Sequence, residues 1–186
     1  MARRSPPRPR GHPRASRAAA VAGTGRLRLR EATLKDLSTL VRHRRGMWRE
    51  LRSFPPRELD RHDVAYRRWV RTLMPAGEFV AFLVEDGGGA PVGSGGLWLM
   101  PSQPRPGVLG RGRVPYILSM FTEPAFRGRG VASRIVRAML AWSRRQGYGR
   151  VVLHASRFGR PVYERLGFEP GSEMRLELIR RPAGRR

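Results

Sequence analysis

Leu34, Leu37, Leu40 and Val41 recur at three- and four-residue spacing behind Thr33, and Asp36 stands where a capping box needs an acid. That spacing predicts a helix with one apolar face, capped by Thr33 and running to about Leu51. Ser53-Phe54-Pro55-Pro56 interrupts it. Before it, Leu27 and Leu29 alternate with arginines, as on a half-exposed strand. A second helix is predicted around Asp60 to Leu73, with Val64, Trp69, Val70 and Leu73 turned inward. Beyond the turn Pro75-Ala76-Gly77, Phe79 to Val84 reads as a strand. Asp86-Gly87-Gly88-Gly89 reads as a hairpin loop, and Val92 to Met100 as the partner strand. Gly93, Gly95 and Gly96 in that partner predict a bulge or a close approach of neighbouring backbone. Ser102 to Arg113 is a Pro/Gly-rich loop, and Tyr116 to Phe121 is a further apolar strand.

The chemistry begins where that strand ends. Met120-Phe121-Thr122-Glu123-Pro124-Ala125-Phe126-Arg127-Gly128-Arg129-Gly130-Val131-Ala132 passes from strand through a glycine-rich turn straight into a helix. A helix start carries unpaired N–H groups and the positive end of the helix dipole. Gly128 and Gly130 lack Cβ atoms that would hold an anion off, Arg127 and Arg129 add positive charge, and Ala132 keeps the surface low. The segment therefore predicts a pocket for a phosphate or pyrophosphate. Val131, Ile135, Val136, Met139 and Leu140 give the helix from Gly130 to about Gln146 a face for packing on a sheet. Val151-Val152-Leu153 follows as a short buried strand, completing a right-handed parallel crossover. Gly159 to Phe168 gives a short helix with Pro161 in its first turn, and a last strand is predicted from about Met174 to Ile179.

From Tyr116 to Phe168 the chain resembles the GNAT superfamily of N-acetyltransferases. Arg127, Gly130 and Ala132 fill the acetyl-CoA motif of that family, and Tyr163 with Leu166-Gly167-Phe168 fills its second hallmark. The resemblance covers Arg26 to Arg181 and is weak in the first half. It implies an α/β (α+β) fold: a mixed central sheet flanked by helices, in the order β-α-α-β-β-β-α-β-α-β. It implies an acyltransferase that moves an acetyl group from acetyl-CoA to a primary amine of a small molecule or peptide by direct attack. The expected cofactor-binding residues are Met120, Phe121 and Thr122, whose backbone would pair with the pantetheine arm, and the turn Arg127, Gly128, Arg129, Gly130, Val131, Ala132 and Ser133. Backbone N–H groups from Gly128 to Ser133 would take the pyrophosphate. Tyr163 stands at the position of the family's general acid, and a phenol is protonated at neutral pH.

The general base is less defined. Some relatives carry a Glu on the strand after the motif helix, whereas Val151-Val152-Leu153-His154-Ala155-Ser156 holds no acid. His154 is the nearest candidate, with Glu31, Glu123 or a bound water as alternatives. The acceptor is expected against the first two helices and the loop joining them. Trp48, Phe54 and Trp69 could wall an apolar slot there. Glu58, Asp60 and Asp63 form the densest acidic cluster, which fits either a cationic amine or a solvated helix start.

Composition narrows the rest. The 186 residues suit one domain with a real core, and no cysteine means no disulfide, thiolate metal site or cysteine nucleophile. His12, His43, His62 and His154 lack ligand spacing, so no metal is expected. No apolar run has membrane-spanning length, which predicts a cytoplasmic protein. The formal charge is +24, from 38 Lys+Arg against 14 Asp+Glu. Lys35 is the only lysine, so this charge is arginine, spread along the chain in the manner of a GC-rich bacterial genome. That spread argues against nucleic acid as the main partner. Residues 1–25 carry arginine and proline without acids and are expected to be a disordered basic tail, either a true tail or a misplaced start. Residues 26–181 would form the acetyltransferase domain and residues 182–186 a basic C-terminal tail. A non-catalytic acetyl-CoA-binding module and a nucleic-acid-binding protein stay open as alternatives, as does a homodimer.

Overall fold

The computed structural model describes residues 25–103 and 112–176. The expected N- and C-terminal tails lie outside these residues, apart from Gly25. Strand β1 (Arg28–Glu31) leads through a short 3-10 turn, Leu34–Asp36, into α1 (Leu37–Leu51). Thr33 and Asp36 form the predicted capping box, in which the Asp36 carboxylate accepts from the Thr33 amide at 2.8 Å. Asp36 also takes a fork from Arg30 at 2.7 and 2.8 Å, which holds its carboxyl down at about 2. Lys35 lies on this turn exposed to solvent.

Helix α2 (Pro56–Leu73) begins one turn earlier than the sequence pattern suggested, because Pro56 serves as its first residue, where a missing N–H costs nothing. Its inward face is Leu59, Tyr66 and Val70, while Val64, expected inside, is 60% exposed. The earlier start adds Leu59 to the buried stripe, while Val64, about 120° around the helix from Val70 at 3.6 residues per turn, falls on the outer side.

Strands β2 (Phe79–Glu85), β3 (Pro91–Pro101) and β4 (Arg113–Thr122) follow as an antiparallel meander. Helix α3 (Val131–Arg145) crosses back to β5 (Val152–Leu153), which pairs parallel with β4, and α4 (Arg160–Glu164) follows. The sheet order is β1-β2-β3-β4-β5. Every element of the expected order is present up to α4. Residues 174–176, the start of the predicted last strand, adopt no strand, and residues 177–179 lie outside the described residues.

Alternation along the strands feeds two cores. Val80, Phe82, Val84, Leu97 and Ile117 face α3 and pack on Val131, Ile135, Val136 and Met139. Phe79, Ala81 and Leu83 face α1 and α2 and pack on Leu40, Val41, Tyr66 and Val70. Fully burying each such side chain contributes roughly 1.5–3 kcal/mol. The predicted close approach at the β3 glycines is real on both faces. A Cβ on Gly95 would lie 2.2 Å from Met120 Sδ on the α3 side, and one on Gly96 would lie 2.3 Å from the Phe79 ring on the other. The register between β3 and β4 shifts between Ser94 and Gly96.

Candidate active site

That register shift is a bulge in β4. Ser119 adopts φ +54°, the left-handed region that L residues seldom enter, and is the only non-glycine to do so among the described residues. The conformation costs roughly 1–2 kcal/mol, and it changes where the strand's side chains point. Met120 packs into the α3 core, while Phe121 meets His43 of α1 with ring centroids 5.1 Å apart. Ser119 itself is hydrogen-bonded to the buried Tyr66 of α2.

The same segment has an open edge. β4 and β5 pair only at Tyr116↔Val152 and Ile117↔Leu153. From Leu118 to Thr122, β4 keeps β3 on one side and has no strand on the other among the described residues. Backbone N–H and C=O groups along such an edge are a template for an extended, amide-bearing ligand. Met120, Phe121 and Thr122 all lie on it.

The turn after β4 leaves a helix start uncovered. A 3-10 turn, Pro124–Phe126, leads to Gly128 at φ +73° and Gly130 at φ +76°. Nothing lies within 4 Å of where a Cβ would stand on either residue. Gly130 is the N-cap of α3, and the first turn of the helix, with Val131, Ala132 and Ser133, holds no acid. Its free N–H groups therefore open onto uncrowded space at the positive end of a 15-residue helix. Arg127 does not project into this space. Its Nε donates to the Thr122 carbonyl at 3.1 Å and its guanidinium is paired with Glu50 of α1, so the side chain ties the turn to the first helix. Arg129 lies over the Phe126 ring at 5.1 Å. The residues present fit acetyl-CoA: an edge for the pantetheine amides and a glycine-lined helix start for the pyrophosphate.

Tyr163, on α4, is 9% exposed and packs edge-on to Phe168 at 5.7 Å. Burial, with the neighbouring Tyr116, pushes its phenol up to about 12. It is therefore protonated throughout the neutral range. His154 lies just beyond β5, bridging Tyr116 of β4 through Nδ1 and Glu173 through Nε2. With Glu173 ionised, Nε2 donates to the carboxylate and Nδ1 accepts from the Tyr116 hydroxyl, which fixes the tautomer. Tyr116 and Glu173 did not stand out in the sequence. Parallel pairing of Tyr116 with Val152 brings the first beside His154, and the second arrives from a segment without regular structure.

The other base candidates are placed differently. Glu31 ends β1, at the sheet edge opposite β5. Glu123 pairs with Arg42 and stands 3.5 Å from Nε2 of His43. His43 is fully buried; its Nδ1 bonds the Ser94 hydroxyl at 2.9 Å. Burial, reinforced by Arg42, lowers it to about 4, so it is neutral near pH 7 despite Glu123. Trp48 and Phe54 meet edge to face at 5.9 Å, as a slot wall requires. Trp69 instead packs against Phe79 and Trp98 beside the core. Among the described residues no group of His and acids is arranged to hold a metal, and no helix is long and apolar enough to cross a membrane.

The profile of the Acetyltransferase (GNAT) family matches residues 43–168. The chain belongs to that family. A GCN5-related N-acetyltransferase from Ralstonia eutropha superposes with a TM-score of 0.74 at 28% identity, over 82% of this chain and 98% of its own. An acetyltransferase from Clostridium acetobutylicum, crystallised with acetyl-CoA, gives 0.72 at 26% identity, over 83% of this chain and 96% of its own. A glucosamine 6-phosphate N-acetyltransferase from Trypanosoma brucei brucei is 33% identical over 91 residues, which is 48% of this chain. This chain spans 59% of the length of that curated relative. Acetyl-CoA, bound in the Clostridium structure, is the cosubstrate of the family, and the GNAT fold is the α+β sandwich described above.

Proposed function

We propose that this chain transfers the acetyl group of acetyl-CoA to a primary amine of a small molecule or peptide by direct attack. One observation carries the reading: the open edge of β4, the glycine-lined start of α3 and the buried Tyr163 phenol belong to one βαβα unit. The backbone of Met120, Phe121 and Thr122 holds the pantetheine arm, and an N–H near Met120 polarises the thioester carbonyl as charge develops on its oxygen. N–H groups from Gly128 to Ser133 hold the pyrophosphate.

The attacking amine must arrive neutral. Its lost proton passes to Nδ1 of His154 by way of the Tyr116 hydroxyl, and Glu173 stabilises the imidazolium that results. The amine nitrogen then forms its bond to the carbonyl carbon, the carbon–sulfur bond breaks, and the electron pair leaves on sulfur. Tyr163 donates its proton to that thiolate, and the second proton shed by the nitrogen as the amide forms restores the phenol. The test is release of free thiol from acetyl-CoA across a panel of amines, with glucosamine 6-phosphate among the first because the Trypanosoma relative bears that name. Thiol release that depends on an amine supports the reading. Tight acetyl-CoA binding with no release for any amine overturns it and leaves a binding module.

A further inference from the structure

The acceptor side of the bulge holds a cation without a counter-ion. Arg44 of α1 is bracketed by aromatic rings, its guanidinium carbon 4.5 Å from the centroid of Tyr66 and 5.6 Å from that of Trp48. Its Nη1 is buried with no hydrogen-bond partner, and no carboxylate pairs with it among the described residues. The contrast with its neighbours is sharp. Arg45 holds Asp60 and, at 3.1 Å, Asp63. Arg42 holds Glu123, and Arg127 holds Glu50. Asp63 is the one carboxylate whose field reaches Arg44, and Arg45 already engages it.

Asp60 and Asp63, two of the three acidic residues that suggested a cationic acceptor, are both engaged by Arg45, whereas Arg44 beside them has no ion pair of its own among the described residues. An unpaired, partly desolvated guanidinium is costly to keep. Contact with two aromatic rings restrains the guanidinium, whose fork matches the geometry of an oxyanion. Its position is also specific. The ring under it is Tyr66, whose hydroxyl bonds Ser119 at the bulge of β4. Arg44 therefore stands one ring away from the strand segment along which the acetyl donor is read.

We propose that the acceptor is an amine carrying an oxyanion, a carboxylate or a phosphate, and that Arg44 is the residue that binds that group. This rests on the transferase reading above. The test compares kcat/KM within matched acceptors: β-alanine with β-alaninamide, O-phosphoethanolamine with ethanolamine, and spermidine as the cationic counterpart. The anionic member should lead by on the order of tenfold or more, and the pair that shows the larger lead distinguishes carboxylate from phosphate. Arg44→Met keeps the apolar stem between the rings and removes the charge, so the lead should collapse while the melting temperature holds or rises. Arg44→Lys, which keeps charge without the fork, should retain part of it and covers the case of a poorly folding Met variant. A lead for the neutral or cationic amines, or a lead that survives Arg44→Met, overturns the proposal. Calorimetry of β-alanine and O-phosphoethanolamine on CoA-saturated protein separates the two readings. Arg44-dependent binding without turnover for any amine would sink the transferase reading and keep the oxyanion site; turnover without discrimination would do the reverse.

Discussion

The two sides of the sheet near β4 present different kinds of surface. On the α3 side the parts are backbone: an unpaired strand edge, two left-handed glycines and a helix start. On the α1–α2 side they are side chains: the rings of Trp48, Phe54 and Tyr66, the bare guanidinium of Arg44 and a set of arginine–carboxylate pairs. A backbone site constrains only the few positions where a Cβ would intrude. A side-chain site constrains many positions, each through a partner distant in sequence. The first suits a ligand that never changes, and the second suits one that differs from relative to relative.

The sharpest way to break this contrast is Gly130→Val. A branched residue at φ +76° is strained and fills the space over the helix start, so acetyl-CoA binding should be lost while circular dichroism still reports a folded protein. Unchanged affinity by calorimetry would mean that the phosphate site lies elsewhere. Next in size is Tyr163→Phe, which keeps the ring and its packing on Phe168 and removes the proton donor. We expect kcat to fall on the order of a hundredfold, with acetyl-CoA affinity nearly intact. Near wild-type turnover would remove Tyr163 from the chemistry.

His43 tests the side-chain face through pH. Its folded pKa, about 4, lies below the ordinary value of 6.5, so the unfolded chain binds the extra proton between those limits. Stability is therefore fully present above about pH 6.5 and falls as pH drops toward 4, by up to roughly 3 kcal/mol. Urea titrations across that range should show the decline in wild type and a shallower one in His43→Gln. Equal slopes would remove His43 as the cause. The smallest effect is a difference between adjacent residues. Gly96→Ala pushes on the fully buried Phe79 ring and should cost roughly 1–3 kcal/mol. Gly95→Ala meets the flexible ends of Met120 and Met139 and should cost less. The reverse order in thermal melts would contradict the packing described for the two faces.

The same division explains what could be read beforehand. The conformation of the turn from Arg127 to Ala132, with its two left-handed glycines and helix start, was legible because its signals lie within a few consecutive residues. The meander, the α3 crossover and the Thr33–Asp36 capping box were legible because they depend on local period and short-range hydrogen bonds. Val64 was misplaced because it lies about 120° around the helix from Val70, outside the stripe that the sheet beneath selects. Tyr116, Glu173 and the isolation of Arg44 were invisible, since each depends on which distant residue arrives beside it. The pairing of Arg45 with Asp60 and Asp63 was equally invisible, since it joins two helices across a break in the sequence pattern.

Lys35, alone on its exposed turn at the far end of the first helix, has a bearing on the protein's lifetime beside its own reagent. Acetyl donors modify amines without any catalyst, and a surface rich in lysine would slowly lose charge to them. Guanidinium groups stay protonated and offer no nucleophilic lone pair at neutral pH. A chain whose other basic side chains are all arginine or histidine keeps its ion pairs in the presence of the donor. Lys35 is its one side-chain amine, so peptide mapping after prolonged exposure should find side-chain acetylation there and nowhere else.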